Sequence, residues 1–78
     1  MYKAPKIATR DELRQYVIGV VSQANEISAN QVSDATPLGA AAEELATVLA
    51  FALRTAIMTT PEESVGDFIS HSGRQLKS

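Results

Sequence analysis

Few side chains in this sequence are of types that could carry out chemistry, and the single histidine is the most promising of them. His71 follows Asp67 by four residues, a spacing that would let a carboxylate orient an imidazole as a general base on one helix face. Ser70 and Ser72 flank the histidine, but this pattern contains no convincing nucleophile. We therefore interpret these residues as ordinary side chains of a C-terminal helix and predict that the protein is not an enzyme.

The composition excludes several other kinds of site. The 78 residues include no cysteine and one histidine, so disulfides, thiolate chemistry and cysteine- or histidine-rich metal sites are excluded. The net charge is −2 and the seven Lys and Arg residues are scattered, which argues against binding to nucleic acid. No signal peptide is apparent, and the longest uncharged run of the most apolar stretch, Leu45 to Leu53, is far shorter than the roughly 20 residues of a membrane span. We expect a cytoplasmic protein without a metal ion.

The first helical segment is marked by its cap. Thr9-Arg-Asp-Glu12 is a capping box, and an apolar stripe at helical spacing follows it. These features predict a helix over about 10–24, although Gly19 and the β-branched residues leave a strand as the competitor over 16–22. The polar segment 25–36 predicts a long loop, which Ile27 and Val32 would pin to the core.

The longest helical signal covers 38–57, with Thr36 as the expected N-cap and Pro37 at the first helical position. Apolar residues at helical spacing predict one face that packs on the core: Leu38, Ala42, Leu45, Val48, Leu49, Ala52, Leu53, Ala56 and Ile57. Phe51 and Met58 are interpreted as additional core filler. For Phe51, an exposed anchor for a partner is the alternative.

The last helix is predicted over 64–72, with Ser64 as its N-cap and Gly73 as its C-cap. The capping box Thr60-Pro-Glu-Glu63 predicts a possible short helix at 61–64 just before it. Together these segments predict an all-α, single-domain helical bundle over 1–78, with loose ends at 1–8 and 74–78.

Two motifs resemble the acyl carrier protein family, which includes peptidyl carrier domains. Val32-Ser-Asp-Ala-Thr-Pro-Leu38 is similar to the segment that precedes helix II of a carrier, and Ser64-Val-Gly-Asp-Phe-Ile69 is similar to the opening of its last helix. The resemblance covers roughly 9–72. It implies a four-helix bundle and a role in fatty acid, polyketide or nonribosomal peptide biosynthesis, where carriers bear 4′-phosphopantetheine on the serine of an Asp-Ser-Leu motif.

This sequence departs from the family at that serine. The best local match to Asp-Ser-Leu is Glu43-Glu44-Leu45, and an ungapped count instead puts Ala46 at the serine position. No serine occurs between Ser33 and Ser64. We therefore expect no cofactor, and 4′-phosphopantetheine only if an unusual hydroxyl such as that of Ser33 is used.

Three hypotheses follow for the function. The first is a carrier-like module without a prosthetic group, which docks on acyl- or peptide-assembly enzymes through Glu43, Glu44, Thr47 and Phe51. The second is a working carrier modified at Ser33, and the third is an unrelated small helical interaction module. A simpler interpretation of Glu43 and Glu44 is that they favour the N-terminal half of their helix.

Overall fold

Three α-helices dominate the computed structural model, which describes residues 5–76. The helices are α1 (Arg10–Ala24), α2 (Ala42–Leu53) and α3 (Val65–Ser72). Two single-turn 3-10 segments, Ala29–Gln31 and Gly39–Ala41, lie in the connection between α1 and α2. The described residues contain no strand, which confirms the all-α class, and none of their helices has the length and apolar character needed to cross a membrane. The predicted loose ends at 1–4 and 77–78 lie outside the described residues.

Helix α1 begins at the predicted capping box. The hydroxyl of Thr9 accepts a hydrogen bond from the Glu12 amide at 3.2 Å, and the Glu12 carboxylate accepts one from the Thr9 amide at 3.1 Å. Its inward stripe is buried: Leu13, Val17, Val20 and Val21. The helix continues through 16–22, so the strand alternative is wrong.

Each of the two long helices is followed by a residue other than glycine whose backbone is left-handed. After α1, Glu26 has a φ of 55°, and Ile27 N donates to Ser22 O as in a Schellman motif. After α2, Arg54 also has a φ of 55°, and its amide donates to a carbonyl one turn back. Helix α2 therefore ends at Leu53, and its predicted continuation to 57 is wrong. The usual stop signal, a glycine, is absent from both ends.

The start of α2 also differs from the prediction. Thr36 does not cap the helix, because its hydroxyl accepts a hydrogen bond from the Ser33 amide at 2.9 Å within the loop. Pro37 lies outside the helix and forms an isolated antiparallel bridge with Ser64. The residue at the N-cap of α2 is Ala41, which offers no side-chain acceptor.

The predicted short helix at 61–64 is a turn instead, closed by a hydrogen bond from Glu63 N to Thr60 O. The carbonyls of Pro61 and Glu63 accept hydrogen bonds from Gly39 N and Leu38 N, both at 2.9 Å. Because these carbonyls bind the start of the central segment, they do not enter a helical ladder.

The core forms where the inward stripes of the three helices meet. Its buried members are Leu13, Val17, Val20, Val21, Leu38, Ala41, Ala42, Leu45, Leu49, Leu53, Val65, Phe68 and Ile69. The core assignments of Ala56, Met58 and Phe51 are wrong: Ala56 is exposed, and Met58 and Phe51 are 85% and 68% exposed. The first two follow the end of α2, and Phe51 lies on its outer side.

The loop and the C-terminal segment are attached to this core. Val32 packs against it as predicted, and Ile27 is half-buried. Residues 74–76 form a turn in which Leu76 packs on the core and Gln75 Nε2 donates to Leu53 O at 3.1 Å.

Candidate functional site

The outer side of α2 brings together the four residues that the sequence singled out for docking. Glu43, Thr47 and Phe51 are spaced by four residues, so they lie in one row along the helix, and Glu44 lies beside the first of them. Glu43, Glu44 and Phe51 are exposed, and Thr47 lies between them in the row. We call these four residues the α2 face.

The α2 face points to solvent because the opposite side of the same helix packs on the core. Leu45 and Leu49 are fully buried in the core, and both belong to the inward stripe of α2. A helix with one apolar stripe packs that stripe inward and presents the rest to solvent. The packing of α2 thereby exposes the acidic and aromatic residues of the α2 face.

The α2 face has an acidic end and an aromatic end. Its first turn carries Glu43 and Glu44, and neither carboxylate forms an ion pair with any residue in 5–76. A shallow groove runs beside them, lined by Ala40, Glu43, Glu44, Thr47 and Val48. Phe51 lies two turns further along, about 12 Å from Glu43 at the rise of an α-helix. Such a surface is complementary to a partner with basic groups next to an apolar one.

The structure distinguishes the two positions proposed for the missing serine. Glu44 is exposed in the first turn of α2, whereas Ala46 is half-buried in the helix body. A hydroxyl at position 44 would be accessible at the start of the helix. Ser33 is exposed too, but it lies in the loop, where its amide and its hydroxyl contact Thr36 Oγ1 at 2.9 and 3.3 Å.

The histidine pairs with a residue that sequence spacing did not reveal. His71 Nε2 lies 2.7 Å from a carboxylate oxygen of Glu63, while the amide of Asp67 donates to the cap residue Ser64. The other oxygen of Glu63 accepts a hydrogen bond from the Thr59 hydroxyl. Imidazole and hydroxyl thus bind the same carboxylate, and this arrangement does not set up the histidine as a base toward that hydroxyl. The sequence does not indicate this pair, because Glu63 lies before α3 and therefore outside the i, i+4 spacing that relates His71 to Asp67 within the helix.

The contacts of His71 hold the end of α3 in place. Its ring meets that of Phe68 edge-on, with centroids 5.4 Å apart, and Phe68 is fully buried. The side chain of Glu63 is only 19% exposed. Because its carboxylate contacts His71, it links the turn before α3 to the last turn of α3. Within residues 5–76, no three His, Asp or Glu side chains group closely enough to hold a metal ion.

Comparison of the chain with protein-family models, curated proteins and solved structures gave no match.

Proposed function

We propose that this protein is a carrier-like docking module that binds acyl- or peptide-assembly enzymes through the α2 face and carries no prosthetic group. The observation that supports this proposal is the α2 face itself. It combines two carboxylates without ion pairs among the described residues and an exposed aromatic ring on the helix that corresponds to carrier helix II in the resemblance.

The chemistry of this face suits association better than catalysis. Glu43 and Glu44 would attract Lys or Arg side chains of a partner, which raises the association rate and orients the encounter. Phe51 would supply the apolar contact, since aromatic residues that become fully desolvated carry much of the energy of an interface. The acidic groups would therefore guide binding, and the ring would hold the complex.

The proposal that the protein carries no prosthetic group is based on the lack of a suitable hydroxyl in the central segment. No serine lies between Ser33 and Ser64, and Thr47 is a threonine one turn inside α2 rather than a serine at its start. A phosphopantetheinyl transferase would therefore find no serine in the position that the resemblance implies.

A restored serine tests the carrier-like character directly. Glu44→Ser creates a Glu-Ser-Leu sequence over 43–45, the closest approach of this chain to Asp-Ser-Leu, at an exposed position that leaves the core unchanged. The variant, the wild type and Ala46→Ser are incubated with coenzyme A and a broad-specificity phosphopantetheinyl transferase, and intact mass is measured. We expect one added phosphopantetheine on Glu44→Ser and none on the wild type.

The outcomes separate the three hypotheses. Modification of the wild type, mapped to Ser33, would make the protein a working carrier. No modification of any variant, with a genuine carrier modified in the same tube, would contradict the carrier-like proposal and favour an unrelated interaction module.

Docking is tested separately with a carrier-dependent condensing enzyme or acyltransferase as the titrant. The double variant Glu43→Gln/Glu44→Gln and the single variant Phe51→Ala should each weaken binding by about tenfold or more. Glu62→Gln, which removes an exposed carboxylate outside the α2 face, should bind within about twofold of wild type. Equal effects of all variants, or binding by none of the proteins including the wild type, would count against the α2 face as the docking site.

A further inference from the structure

A second groove lies between α1 and α3, and it shares no residue with the α2 face. It is lined by Arg10, Asp11, Arg14, Ile69 and Ser70. The two arginines are four residues apart on α1, so they lie on the same side of that helix. Two guanidinium groups and one hydroxyl therefore converge on one groove from two different helices.

Arg10 is held in place by a contact that leaves most of its donors available. Its Nε donates to Gly73 O at 3.1 Å, just after α3, across 63 residues of sequence. The two terminal nitrogens make no hydrogen bond with a residue in 5–76. An arginine positioned through Nε presents these terminal nitrogens in a fixed plane, which favours binding of an oxyanion.

Arg14 is held by a solvent-exposed ion pair. Its Nη1 lies 2.5 Å from an oxygen of Asp34, and the two side chains are 44% and 64% exposed. An exposed ion pair of this kind adds little to stability, so a more highly charged anion can compete for the same guanidinium. The pair keeps Arg14 beside the groove.

Ser70 differs from the other serines in the body of a helix. The hydroxyls of Ser22 and Ser72 donate back to carbonyls of their own helices, at 2.9 and 2.6 Å. The hydroxyl of Ser70 makes no such hydrogen bond with a described residue, although the side chain is exposed beside the groove. It is therefore available as a donor to a ligand.

We propose that this groove binds the phosphate group of a phosphomonoester. A phosphate dianion offers three terminal oxygens, which match the donors of Arg10, Arg14 and Ser70. Asp11 in the same lining and Asp34, which pairs with Arg14, offset the charges of the two arginines, so the groove gains a net positive charge only when the phosphate displaces Asp34 from Arg14. Once Asp34 is displaced, a dianion is attracted to the groove about twice as strongly as a singly charged carboxylate is.

The test is a titration of the full chain with sodium phosphate, followed by backbone and arginine Nε resonances in 15N NMR at constant ionic strength set by sodium chloride. We expect saturable shifts at Arg10, Arg14 and residues 69–71. A second arm uses a peptide that contains phosphoserine, and its unphosphorylated form is the control. Tighter binding of the phosphopeptide than of free phosphate would identify a protein-borne phosphate as the source, and equal binding would identify a small molecule.

Three variants check the location of the site. Ser70→Asp places a carboxylate in the groove and should weaken phosphate binding by about tenfold or more, and Arg14→Gln should do the same. Arg54→Gln removes one positive charge at the end of α2 and should bind within about twofold of wild type. Shifts that do not saturate, or equal losses in Arg54→Gln and Arg14→Gln, would overturn the proposal. Because Ser70 is exposed, a folded Ser70→Asp that still binds like wild type would overturn it as well.

Discussion

Gly39 and Asn25 are in direct contact across the long connection between α1 and α2. The side-chain amide of Asn25 donates to Val21 O at 3.0 Å and to Leu38 O at 2.9 Å, and its oxygen accepts from Ala40 N at 3.1 Å. Gly39 has a φ of 57°, and a Cβ at this position would collide with the Asn25 side chain. This contact joins the end of α1 to the start of the central segment.

The first prediction concerns this contact. Gly39→Ala should lower the free energy of unfolding by about 1–3 kcal/mol, because it adds a left-handed backbone penalty and a collision with Asn25. Gly19→Ala is the control, since Gly19 lies within α1 with open space around its Cβ position. That substitution should raise stability by about 0.5–1 kcal/mol. Urea denaturation measures both, and equal effects would show that the contact with Asn25 is unimportant.

The second prediction concerns the end of α2. Arg54→Gly should stabilise the protein by about 0.5–1 kcal/mol relative to Arg54→Ala, because glycine adopts a φ of 55° without steric strain. Both variants lack the guanidinium, so their difference isolates the backbone. Thermal denaturation of the pair provides the comparison. A more stable Arg54→Ala would mean that α2 continues past Leu53 in solution.

The third prediction separates the two sides of α2. Leu49 is fully buried in the core, and Leu49→Ala should cost about 2–4 kcal/mol. Val48 is buried at the edge and lies outside the core cluster, so Val48→Ala should cost less than about 1.5 kcal/mol. Phe51→Ala should change stability by no more than about 0.5 kcal/mol, since Phe51 is exposed. Chemical denaturation measures the free energy of unfolding of all three variants. If Phe51→Ala were the most destabilising, α2 would not pack with Leu49 toward the core and Phe51 toward solvent.

The fourth prediction concerns the carboxylate between Thr59 and His71. Glu63→Ala should cost about 1–2 kcal/mol, because it removes the partner of both side chains and frees the turn before α3. Glu62→Ala, at the exposed neighbouring position, should change stability by less than about 0.5 kcal/mol. Hydrogen exchange should also show faster exchange at the Leu38 and Gly39 amides in Glu63→Ala alone. Equal exchange in both variants would mean that Glu63 does not hold this turn.

Much of the fold could be predicted from local patterns. The cap at Thr9 and the cap at Ser64 each act within one helical turn, and both helices begin where these residues indicate. The inward stripe of α1 was also predictable, because its apolar residues recur at the period of the helix. Such signals depend only on neighbours in sequence.

The candidate site was predictable in part. Glu43, Glu44 and Thr47 were named as docking residues under the carrier-like hypothesis, and all three lie on the outer side of α2 beside one groove. The exposure of Phe51 contradicted its preferred interpretation as core filler, because position 51 lies between the two sides and periodicity alone did not decide it. The carboxylate at Glu63 and the groove between α1 and α3 were missed, since their members come from separate elements.

The sequence by itself determined the all-α class, the starts of α1 and α3, and the apolar stripes that form the core, because helix propensity, capping and periodicity are short-range properties. Only the tertiary structure decided where α2 begins and ends. Its start depends on hydrogen bonds from the amides of Leu38 and Gly39 to the turn before α3. Its end depends on the left-handed backbone of Arg54, a position where the sequence has no glycine to indicate the end of a helix. The pairing of His71 with Glu63 and the groove that two arginines of α1 share with Ser70 of α3 were likewise decided by packing, since they bring together residues that are near each other only in the folded chain.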